Sequence, residues 1–573
     1  MEKIDRKEFL EQAAKSLISE PDSSKQYPYI DPSNKTLPID LQKTSSGLTP
    51  YAGAWTDVQM MHLLRRTLFG VSKSDYDFFK SKTMIQSVDY LLTVPTVAPS
   101  PPLNHYSLNN SNLADADVPY GQTWVNAAAN PNLEFPRIQS LKYWWVGLMI
   151  NQDKNILEKM TLFWHNHFST ETNTVVDSRY LYKHHALLRS MALGNFKELV
   201  KQVSIDPAML TYLNGETNTK TSPNENYARE LQELFTIGKF LAVHYSEDDV
   251  KQAAKVLSGW RNNRVGISSF FDSTKHDSTN KTFSAFYNNT LITGKTGINA
   301  GMDELNDLLS MLFSQAELAK NICRKLYRYF VYYVIDDTIE TNIITPLATL
   351  FRNNNYDIKP VLNALLKSEH FYDSLNMACM IKQPMDHVIG LARQTNLTFP
   401  AAAGNTQQLY FQWQFMQQYG LILNQDIGDP PNVAGWPAFY ESPQYYELWI
   451  NSDSLPKRNT LCDYLIYVGY TRLNYKLIID CIGFVSQFST PGIPDALIDQ
   501  LTGLIYPVSL SSTAKTFIKT SFLLSGQNAD HYWTDAWNAY VANPTDAAAK
   551  STVNTRLQAL LKYLMGQAEY QLC

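Results

Sequence analysis

No stretch of this 573-residue chain approaches the roughly 18 to 20 consecutive apolar residues that a membrane-crossing helix needs, so no transmembrane segment is expected. Lysine and arginine number 49 against 54 aspartate and glutamate. No basic stripe gathers them, so the electrostatic footprint of a phosphate backbone is missing and nucleic acid is not an expected partner. The five cysteines, Cys323, Cys379, Cys462, Cys481 and Cys573, are scattered. They form no CxxC pair, which excludes a zinc knuckle, a redox motif and a c-type haem attachment of the usual spacing. No glycine-rich phosphate loop, nucleophile motif or helical zinc motif is present either.

What is there is helical periodicity. The opening "DRKEFLEQAAKSL" (5 to 17) resembles the start of a twin-arginine export signal, with Arg6-Lys7 for the arginine pair. The apolar stretch that should follow is replaced by "EQAAKSLISEPDSS", so the signal is not intact. Phe9, Leu10, Ala13, Ala14, Leu17 and Ile18 instead predict a short amphipathic helix that docks on another chain or on the body of this one. With the Ser/Pro/Asp-rich stretch after it, that makes residues 1–54 an N-terminal helix and extended arm. From 55 to 470 amphipathic helices follow one another. They are interrupted by a Pro/Asn/Ala-rich excursion at 94 to 134 and by a long loop or small hairpin at 262 to 300. Residues 471–573 read as a helical extension packed on that core. The fold class is therefore mainly α, a large multi-helix domain with long irregular loops and little strand.

Two stretches carry polar residues in apolar company. In "KNILEKMTLFWHNHFST" a helical period places His167 within the stripe of Ile156, Leu157, Met160, Phe163, Trp164 and Phe168. His165 points about 160° away, beside Glu158. Two histidines so disposed cannot clamp one ion, and His167 becomes a buried imidazole in need of a partner. In "SPNENYARELQELFTIG" (222 to 238), Ser222, Pro223 and Glu225 spell a helix start and Gly238 a stop. Glu230 lies at the edge of that helix's buried stripe with Asn226 next to it, while Glu225, Arg229 and Glu233 form a charge ladder on the other side. A carboxylate on an apolar flank costs several kcal/mol unless paired. His167 and Glu230 are therefore both expected to be buried and to meet, directly or through Arg261, His62, a water or an ion.

These stretches resemble a known bacterial family, the domain of unknown function 1800. The resemblance rests on "HLLRRTLFG" (62 to 70), "FWHNHF" (163 to 168), "LGNFKELV" and "DPAMLTYLNG" (193 to 215), and "NENYARELQELFTIG" (224 to 238). It continues through "SEDDVKQAAKVLSGWR" (246 to 261), "HD" (276 to 277), "RKLYRYFV" (324 to 331), "IKQPMDHVIGLAR" (381 to 393) and "PPNVAGWP" (430 to 437). The resemblance implies an exported protein and a protein partner from a sulfatase-like family. It implies no reaction.

Two functions compete. One is a scaffold or accessory component of a surface- or export-linked assembly, in which His62, Asn226, Asp249, Arg261 and Trp436 belong to a structural network. The other is an acid/base or metal-assisted enzyme built where the helices near 167 and 230 meet the loop near 276. There His167, Glu230, Arg229 and Asp277 would be catalytic, and His167, His276 and Glu230 would hold a divalent metal. The "KHDSTNK" loop is expected to expose His276 and Asp277.

Overall fold

The computed structural model describes residues 46–108, 110–239 and 245–573. The N-terminal helix expected over 5–18 lies outside the described residues. The remainder is mainly α, with three antiparallel two-stranded ribbons as the sheets among the described residues. Two of these, Trp260–Asn263 with Ser268–Phe271 and Lys281–Thr282 with Leu291–Ile292, occupy the stretch that loses helical periodicity after 262.

Helix α1 is Asp57–Thr67, opened by a Thr56/Gln59 capping box and closed with Arg65 and Arg66 in its last turn. Helix α2 is Glu134–Ile150, α3 is Leu157–His167 and α4 is Ser178–Ser190. Short α5, Asn226–Glu230, runs into a π-helical turn, Leu231–Phe235. Further on come α6, Ala300–Ser314, α7, Ala316–Phe330, α8, Pro384–Gln394, and α9, Thr406–Ile422. Helix α2 lies at the centre, packed against α4, α8 and α9, and α3 packs on α4. A helix enclosed on all sides has no polar face to show, which is why α2 reads as apolar without a stripe.

One helix start differs from the sequence reading. Ser222 does not cap α5. It closes a tight turn with Thr219, and the chain stays irregular while Asn218 and Asn224 accept the backbone N–H groups of Asn224 and Asn226 through their side chains. Such local bonds compete with helix formation, so the helix starts at Asn226. The predicted stop holds: Gly238 takes a φ of +102° and its N–H reaches Gln232 O at 3.1 Å.

A glycine contact brings two distant motifs together. Gly70 ends the "HLLRRTLFG" stretch at φ +74°, and a Cβ there would stand 2.4 Å from the Gly390 Cα of α8. Only a pair of glycines permits that approach, and it sets Arg65 and Arg66 against the start of α8.

Candidate functional site

Helix α3 answers the question of the two histidines. They do point apart, but both sides are buried. His167 Nε2 lies 3.1 Å from Phe235 O, and its Nδ1 lies 3.0 Å from Lys325 Nζ. The carbonyl can only accept, so Nε2 carries the proton and Nδ1 accepts from Lys325. Burial, then the Lys325 charge, hold the imidazole well below the usual histidine range against the opposing carbonyl bond. Burial likewise pushes Lys325 down to about 7, with Arg328 adding to the effect. His165 packs edge-on to Trp145 with ring centroids 5.0 Å apart, and burial, then His184 and Lys142, press it down to about 3.

The expected meeting of His167 with Glu230 is not formed, and Glu230 is half-buried where full burial was expected. Among the described residues no hydrogen bond or ion pair joins them. Instead His167 and Lys325 grip the carbonyls of Phe235 and Leu234 on the turn that follows Glu230. His276 is elsewhere and is not exposed: its Nδ1 sits 2.9 Å from Ser258 O and its Nε2 3.1 Å from Glu304 Oε1, with Glu304 fully buried on α6. Lys281 Nζ, 2.5 Å from Glu304 Oε2, completes that group. Burial would raise the Glu304 carboxyl, but bonds from His276, Lys281 and the Lys295 N–H outweigh it and hold it below its ordinary value. Asp277 shapes a turn by accepting from Thr279 N at 2.8 Å and from the Thr279 hydroxyl. The loop reads as polar because its polar atoms bond one another and the body, and polarity in sequence does not distinguish that from solvation.

The other motif residues also have structural partners. His62 Nε2 lies 3.0 Å from Phe371 O. Arg261 donates to Glu216 O at 2.6 Å and Trp260 O at 2.7 Å. Arg229, 31% exposed, bridges Glu225, Glu233 and Glu247, so the charge ladder is a partly solvated helix face. Asn226 is exposed. Buried Asp249 caps its own helix by accepting from Ser246 N at 2.7 Å. Trp436 is buried, and its backbone N–H donates to Asn166 Oδ1 at 2.8 Å. Gly435 beside it, at φ +93°, leaves a Cβ only 2.3 Å from that oxygen, so the "PPNVAGWP" corner is docked on α3. Among the described residues no group of three or more His, Cys, Asp or Glu is placed to hold a metal ion. The proposed ligands His167, His276 and Glu230 are thus divided among separate networks.

Another polar group joins Glu171, Tyr212, Thr172, Asp429, Asp426 and Lys142, and the charge of Glu230 acts on its tyrosine. The Tyr212 hydroxyl donates to Glu171 Oε1 at 2.9 Å. Burial raises that phenol, and the negative charges of Glu171, Glu230 and Asp429 raise it further. Asp429 accepts from Thr172 N at 2.6 Å and Thr172 Oγ1 at 2.8 Å, and shares the buried Lys142 ammonium with Asp426, 2.9 Å away. Glu230 Oε2 is buried with no hydrogen-bond partner among the described residues. Burial raises its carboxyl, with Glu233 adding to the effect and Lys239 and Arg229 opposing it. A carboxyl whose affinity for its proton is raised by burial is of the kind that can give and take one.

Glu171 stands out in the sequence only as the carboxylate nearest the two histidines. Tyr212 and Asp429 give no signal of their own. Lys142 does: a lysine inside "SLKYWWVGLM" has to find a buried partner.

No curated protein and no solved structure matches the chain. The family model for "Protein of unknown function (DUF1800)" matches residues 62–572, nearly the whole chain, and reaches well past 470, where the motifs legible by eye stop. The chain belongs to the DUF1800 family.

Proposed function

We propose that this chain is an acid/base enzyme whose site is the Glu171, Tyr212, Glu230 and Asp429 cluster, with Glu230 as the proton-carrying group. One observation carries the reading. Glu230 has a buried carboxylate oxygen that nothing in its surroundings pairs, which a purely structural carboxylate has no reason to tolerate. Lys142 supports the site by pinning Asp426 and Asp429. Three carboxylates around one tyrosine favour a neutral or cationic substrate over an anionic one.

A second reading rests on a different observation: His62, His167 and Arg261 direct their polar atoms to main-chain carbonyls. A network satisfied in that way suits an accessory component of an assembly, with a protein partner and no chemistry of its own.

The substitution Glu230→Gln separates the two without a known substrate. A carboxylate kept unpaired for chemistry destabilises the fold, so the amide should stabilise the chain by about 0.5 to 2 kcal/mol at pH 7.5. The folded-state pKa is raised, so the cost is present above it and is relieved as pH falls. The gap between variant and parent should therefore close toward pH 4.5. A variant that loses stability at pH 7.5 would place Glu230 in the structural network and favour the second reading.

A further inference from the structure

Where the ends of α2 and α8 meet the middle of α9, the surface opens into a cavity of about 470 Å³, within the range of about 300 to 1,000 Å³ usual for small-molecule sites. Arg393, the last residue of the "IKQPMDHVIGLAR" stretch, and Trp413 of α9 stand on its wall, and the loop after α8 supplies Asn396, Phe399 and Pro400. None of Glu171, Tyr212, Glu230 and Asp429 lines this space, so it is separate from the acidic site.

An aromatic platform is seated in the cavity. Trp413 is half-buried, and Gly147 of α2 lies against its ring. A Cβ on Gly147 would stand 2.7 Å from Cε2 and Cζ2 of the indole and 2.8 Å from Cη2. Such near-equal distances to neighbouring ring atoms put the glycine over the flat of the six-membered ring. Glycine weakens a helix relative to alanine, and here its missing side chain lets a broad ring lie flat on the backbone. The indole is held from behind and still lines the cavity.

The wall offers no free charge. Among the described residues Arg393 is the one charged residue on it, and its guanidinium donates to Asp75 Oδ2 and to Ile150 O, each at 2.8 Å. An acidic or basic ligand would enter with nothing to pair it. Side-chain amides stand at the opening instead, on Asn151 and Asn396, both exposed. Asn151 spends its Nδ2 on Gly147 O at 2.8 Å, which leaves its side-chain oxygen to accept. A purely apolar ligand would cover these amides without bonding them.

We propose that this cavity binds an uncharged sugar, one or two pyranose rings of a neutral glycan, with one ring lying flat on Trp413. A pyranose carries C–H bonds on its faces and hydroxyls round its edge, so it can meet an indole face and side-chain amides at the same time. Phe399 and Pro400 add apolar surface to the same wall.

Saturation-transfer NMR on the full chain tests this with maltose, cellobiose and N,N′-diacetylchitobiose, each at about 1 mM, where weak small-molecule complexes begin to fill. At least one should receive saturation, strongest on the C–H protons of one ring face. Trp413→Ala should weaken its binding about tenfold, as loss of a stacking platform does. Asn396→Ala, at an exposed position, should weaken it as well and decides the matter if the tryptophan variant does not fold. Galacturonate and glucosamine, which carry charges on the same ring, should bind less well. No transfer to any of the three sugars, equal binding of galacturonate, adenosine bound in preference to the sugars, or binding that survives both substitutions unchanged would overturn the proposal.

Discussion

The acid limb of the stability curve should be steep, because this fold encloses neutral histidines. His62, His105, His165, His167, His185 and His387 are each at most 5% exposed. Burial comes first among the influences that hold all six below the ordinary value of 6.5, two of them at about 3. The sign follows from which state takes up protons first. As pH falls through 6.5 the unfolded chain protonates these groups while the folded chain does not. Stability is therefore fully present above 6.5 and lost as pH falls toward the folded-state values. At pH 5.5 each such histidine costs about 1.4 kcal/mol, and six together about 8 kcal/mol. That matches the whole stability of an ordinary domain, about 5 to 15 kcal/mol. Glu158, Glu230, Asp426 and Asp463, raised by burial, act in the opposite sense and soften the slope. Urea unfolding followed by tryptophan fluorescence, at fixed ionic strength from pH 7.5 to 5.5, measures the loss. His167→Gln should remove one proton from the slope, about 1.4 kcal/mol per pH unit. An unfolding midpoint that does not move between pH 7.5 and 5.5 would refute the reasoning, since it requires histidines that protonate as easily inside the fold as outside.

Glu304→Ala should cost about 3 to 5 kcal/mol, because it leaves Lys281 buried without its carboxylate. Replacing both by apolar residues should recover most of that loss in a double-mutant cycle, and a single mutant costing under about 1 kcal/mol would show the pair to be dispensable. Arg229→Ala should change stability by less than about 1 kcal/mol in the same urea assay, since its three ion pairs lie on a partly solvated face. A larger loss would mean that the ladder anchors the π-helical turn after Glu230.

How much of this was legible in the sequence follows from the range of the interactions involved. Thr56 with Gln59 and Ser246 with Asp249 form capping boxes within four residues, and Gly70 and Gly238 close their segments by their own backbone conformation. Such features depend on neighbours in the chain, so the mainly α class and most helix positions could be read directly. The period of α3 also placed His165 and His167 on opposite sides. It could not show that both sides are enclosed, because a helical period describes one helix and says nothing of what packs against its far face. Partners were decided only by tertiary structure: His62 meets Phe371, Arg65 meets Gly503, and Lys325 comes from α7 to His167. A buried polar group takes whichever acceptor the packing brings within about 3 Å, whatever its distance along the chain. That is why Glu230 could be singled out from its apolar flank, whereas the bonding of Tyr212 to Glu171 and of Asp429 to Lys142 became visible only once the chain was folded.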